Sequence, residues 1–114
     1  MQRPQYRVIK EHKASFTEAM IAEKGNHVKV EQEDPKMWGW YWCRDKEGYE
    51  AWVPETHIDI SGSDGVFNQP YNSIEHSVKP GELVQYLGDS LGWTECLNKD
   101  WRYGWIPSEK LVLV

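Results

Sequence analysis

Polar and apolar residues alternate over short stretches of this chain. In HVKVEQ, Val28 and Val30 share one face, which predicts a half-buried strand. LVQYL keeps the same phase with Val84 and Tyr86. WYWCR and YEAWV, separated by DKEG, predict a hairpin. GWTEC and YGWIP flank NKDW in the same way, although that turn has no clear type. Shorter runs at Tyr6–Lys10, Ile58–Ile60, Val66–Phe67 and the terminal LVLV complete the set. Alone, FTEAMIAEK reads as a helical turn or two. Its counterpart NSIEHSVKP carries a proline and two serines, which argues against helix in both places. The pattern predicts an all-β chain.

The pattern also repeats. GWYWCRDKEGYEAWVPETHI (39–58) returns as GWTECLNKDWRYGWIPSEKL (92–111), at a constant spacing of 53 positions (92 − 39). Gly39/Gly92, Trp40/Trp93, Cys43/Cys96, Lys46/Lys99, Trp52/Trp105 and Pro54/Pro107 are identical. A gapless spacing that carries two tryptophans per copy marks a tandem repeat. Each copy then has about five short strands, a long early loop and close later turns, as in a small barrel. The expected boundaries are 1–60 for the first copy, SGSDG (61–65) as a polar linker, and 66–114 for the second.

Units of this size bury little surface and need efficient core fillers. Seven tryptophans among 114 residues provide them. The net charge of −5 is shared between the halves: residues 1–60 hold nine Lys/Arg against eleven Asp/Glu, and 61–114 hold four against seven. Neither half has the basic footprint of a nucleic-acid binder. No apolar run is long enough to span a bilayer, and MQRPQYRVIKEHK lacks the hydrophobic segment of a secretory signal, so a cytoplasmic location is expected. Cys43 and Cys96, at one position of two copies, are expected in separate cores as reduced thiols.

A long early loop, then GE before a strand, then GW, then a hairpin to GWIPSEKL resembles the Src-homology-3 (SH3) domain. Both copies fit, and the Trp before V-P is similar to variant bacterial SH3 domains. The resemblance implies two tandem SH3-like five-stranded barrels. It also implies an aromatic groove for extended, proline-rich segments. On that resemblance Trp40 and Trp93 match the groove tryptophan and Pro54 and Pro107 the groove proline. Trp52 and Trp105 match an aromatic at the groove's end. His57 and Lys110 replace a groove tyrosine, and Tyr71 is the residue available to fill the space of the missing first-strand tyrosines. Strand parity agrees: with Cys43, Cys96, Val53 and Ile106 inward, Trp40, Trp52, Pro54, Trp93, Trp105 and Pro107 are expected to face outwards. Glu75 lies where the family places an acid for a basic ligand residue. Glu18, Glu33 and Asp34 are the corresponding candidates around the first copy.

His12, His27, His57 and His76 show no metal-ligand spacing, and no phosphate loop or ordered nucleophile motif is present, so no enzyme, metal or cofactor is expected. The expected function is a non-enzymatic protein-interaction module that holds an extended, proline-rich or basic peptide. A second reading is an assembly subunit whose aromatic faces are buried in a homo- or hetero-oligomer. A third is a cell-wall-binding pair.

Overall fold

The longer strands form where the alternation lies. β1 is Gln5–Val8, β2 Ile21–Ala22, β3 His27–Glu33, β4 Trp40–Arg44, β5 Glu50–Pro54 and β6 Ile58–Ser61. β7 is Asp64–Phe67, β8 Tyr71–Asn72, β9 Leu83–Ser90, β10 Trp93–Leu97, β11 Tyr103–Pro107 and β12 Leu111–Leu113. This computed structural model describes residues 3–16 and 18–114. In β3, Val28 and Val30 are buried between exposed His27, Lys29 and Glu31, as the period of two requires. FTEAMIAEK contributes β2 rather than a helix.

The strands sort into two units, Glu18–Ser73 and Met1–Thr17 with Ile74–Val114. In the first, the sheet order is β5-β4-β3-β7-β6, with a separate β2-β8 ladder. A 3-10 turn, Glu55–His57, joins β5 to β6. In the second unit the order is β11-β10-β9-β1-β12, and the 3-10 turn Ser108–Lys110 joins β11 to β12. Here Val8, Val78, Val84, Cys96, Ile106 and Leu111 form a buried cluster, with Tyr6 packed against it. The register slips by one residue in both sheets, past Glu31 opposite β4 and past Leu87 opposite β10. Such bulges sharpen strand twist. Both hairpins use one turn design. Asp45 Oδ1 accepts from the Glu47 and Tyr49 amides, and Asn98 Oδ1 accepts from those of Asp100 and Arg102.

Two expectations are corrected. SGSDG is not a linker: Ser61 pairs with Asp64 across a two-residue turn, with Gly62 at a positive φ of 62°. Such turns need a glycine-tolerant first position and force the flanking strands to be antiparallel neighbours. Val66–Phe67 is thereby held beside β6 of the first copy, between β6 and β3. The equivalent place in the other sheet, between β12 and β9, is filled by β1. The copies have exchanged their first strands, so the boundaries 1–60 and 66–114 do not describe the units. The second correction concerns closure. Among the described residues no ladder joins the edge strands of either five-stranded sheet, so the sheets do not close into barrels. Each 3-10 turn carries the chain from one edge to the other, and the proline before it has no amide to extend a ladder.

Candidate functional site

Strand parity places the matching tryptophans and prolines opposite one another. Trp40 pairs with Pro54 across β4 and β5, and Trp93 with Pro107 across β10 and β11. Cys43 lies opposite Ala51 and Cys96 opposite Gly104, on the other face of each hairpin. Both thiols are wholly buried and unbridged, as expected. Burial pushes each up to about 12.

Around Trp93 the second unit assembles three charged or titratable side chains from distant stretches. His12 is buried, and its ring meets Trp93 edge-on at 5.6 Å. Lys110 Nζ lies 3.0 Å from His12 Nδ1, and Glu75 Oε1 lies 2.8 Å from His12 Nε2. An ammonium only donates, so Nδ1 accepts from Lys110 and Nε2–H donates to Glu75. Glu75 also accepts a longer bond from the Ser15 amide. His12 is fixed by an isolated bridge to Val78, Lys110 by the 3-10 turn, and Glu75 by a bridge to Trp105. Trp93, Pro107, Lys110 and Glu75 are each half-buried, so this face is accessible.

In the other unit the equivalent place is filled differently. Tyr71 stands four residues past buried Phe67, as His12 stands four past buried Val8. Its ring stacks on Phe67, meets His57 at 5.2 Å, and its hydroxyl donates to the Trp52 carbonyl. Trp52 is half-buried and makes a T-shaped contact with Trp42 at 5.1 Å, worth about 1 kcal/mol. Trp40, Pro54, His57 and Tyr71, however, are all buried. So is Trp105, at 2% exposure, where it was expected to face outwards. The outward expectation is corrected for Trp40, Pro54 and Trp105. Parity selected the face, and the packing over it buries these three.

The acidic candidates divide. Glu75 belongs to the Trp93 site. Glu33 accepts from the Gly39 amide and Asp34 from the Lys36 amide, so both shape the loop before β4. Glu18 is exposed. Two residues without an assigned role in the sequence prove central. His12 carries the network described above. His76 is buried, donates from Nε2 to the Cys96 carbonyl at 3.1 Å, and is held below the usual imidazole range chiefly by burial. The signal for His12 was its spacing from Val8, matched by Tyr71 from Phe67. Among the described residues no cluster of His, Cys, Asp and Glu is suited to a metal ion, and no helix is long and apolar enough to cross a membrane. No protein-family model, curated protein or solved structure matches the chain.

Proposed function

We propose that this chain is a non-enzymatic interaction module that holds an extended peptide in an SH3-like aromatic groove, and that the working groove is the one around Trp93. The observation that carries this is the half-buried Trp93–Pro107 cross-strand pair flanked by Glu75 and Lys110. Two five-stranded sheets of equivalent order support the SH3 resemblance. So do the long early loop and the proline-led 3-10 turn in each. An extended ligand suits a surface of this kind because a polyproline helix loses little entropy on docking. Glu75 favours a basic residue in that ligand.

The test is a proton–nitrogen NMR titration of the intact chain with pooled proline-rich and basic peptides, following the tryptophan indoles. The Trp93 indole is expected to shift while that of buried Trp40 stays still. Trp93→Ala is expected to weaken binding at least about tenfold, as for a central aromatic anchor. Saturating peptide without movement at Trp93 would reject the groove. The burial of Trp40 and Trp105 favours a second reading, an assembly subunit. A stable oligomer in sedimentation, with no peptide response, would select it.

A further inference from the structure

Lys110, His12 and Glu75 meet a geometric criterion used for activated nucleophiles. The nucleophile and base lie within hydrogen-bond reach, and a third group orients the base. The amine-to-imidazole distance is 3.0 Å and the imidazole-to-carboxylate distance 2.8 Å. The His12 and Glu75 side chains are 9% and 14% exposed, so the orienting contact is shielded from water, while Lys110 remains half-buried. The repeat supplies an internal comparison. At the equivalent positions the other unit has His57 for Lys110, Tyr71 for His12 and Ala19 for Glu75. A unit of the same sheet order therefore folds without any member of the set.

The geometry points to Lys110 as an acyl-acceptor site, modified by activated acyl donors such as acyl phosphates and thioesters, with His12 as the base and Glu75 as the residue that positions it. A lysine attacks a carbonyl carbon only as the free amine. One proton passes from the Lys110 ammonium to His12 Nδ1, and His12 later releases it to water. The Nζ lone pair forms the new C–N bond, and the bond from carbon to sulfur or phosphate oxygen breaks. The second nitrogen proton goes to the departing thiolate or phosphate. The product is a neutral amide, which removes a cation beside Trp93 and so would alter what that surface accepts. The acylation chemistry is independent of the peptide-groove reading.

The test exposes the full-length protein to acetyl phosphate, and in a parallel arm to an acetyl thioester, and measures acetylation site by site by mass spectrometry. The other eight lysines (10, 13, 24, 29, 36, 46, 79 and 99) serve as internal references. Lys110 is expected to react at least about tenfold faster than their median, a modest share of what a positioned base can contribute. H12Q should remove that excess and leave the other eight unchanged. E75A should reduce it, while E75Q, which keeps an acceptor for Nε2–H, should restore most of it. A purely structural Glu75 would move the melting temperature without this pattern. A wild-type rate at Lys110 no higher than the median overturns the proposal in a single measurement, even if H12Q does not fold. An excess that survives in folded H12Q also overturns it. Reaction in only one arm would identify the donor class.

Discussion

Trp101 occupies the left-handed region, at φ 61°, where its counterpart in the other hairpin is Gly48 at φ 93°. A Cβ in that region costs about 1–2 kcal/mol, and the indole is 66% exposed and recovers little by burial. Trp101→Gly is therefore expected to stabilise the protein by about 1 kcal/mol, read as a higher urea midpoint at unchanged slope. An unchanged or lower midpoint would mean that the indole's contacts offset the strain. His76 sets a pH dependence at the same scale. Its imidazole is held below the ordinary value of about 6.5, so below that pH the unfolded chain binds a proton that the folded chain resists. Stability should be complete above pH about 6.5 and fall as pH drops through the range beneath it. Urea midpoints from pH 7.5 to 5 should show the decline, and His76→Met should flatten it.

His76 also explains a difference between equivalent hairpins. A Cβ on Gly104 would lie 2.8 Å from the His76 ring, whereas the matching position of the other hairpin carries Ala51. Counted from Gly81 and Gly25, which each donate to the carbonyl of the equivalent first strand, His76 corresponds to buried Met20. Histidine with glycine, or methionine with alanine, fills the same space. Gly104→Ala is expected to cost about 2 kcal/mol by overpacking. Adding His76→Met should recover most of that, giving a coupling of about 1–2 kcal/mol in a double-mutant cycle. Additive costs would show that the two residues do not compete for space. Much at the level of elements was legible in the sequence. A period of two located the longer strands but not the short β2 and β8, DKEG located its turn, and parity put Trp40 and Pro54, and Trp93 and Pro107, on one face. What covers each tryptophan was not legible, because alternation names a face and says nothing of the layer above it. The His12 network was hidden for a similar reason: its members lie 63 and 98 positions from His12 in the chain.

The exchange of first strands belongs to the whole molecule, and the sequence was ambiguous there because Ser, Gly and Asp make up linkers and tight turns alike. Only pairing decides: β7 lies against β6 and β3, and β1 against β12 and β9. The two thiols can report the arrangement in solution, since Cys43 lies in the unit Glu18–Ser73 and Cys96 in the other. Both should resist a thiol reagent in the native protein and react when unfolded, because a thiolate is the reactive form and burial suppresses it. Val8 and Phe67 are each buried in the exchanged strands. Val8→Ala should cost about 2 kcal/mol and Phe67→Ala about 3–5 kcal/mol. Where labelling follows the opening equilibrium, 2 kcal/mol is about a thirtyfold change in rate. With exchanged strands, Val8→Ala accelerates Cys96 and Phe67→Ala accelerates Cys43. Contiguous copies would reverse both assignments, since residue 8 would then support Cys43 and residue 67 Cys96. The reversed pattern would reject the exchange.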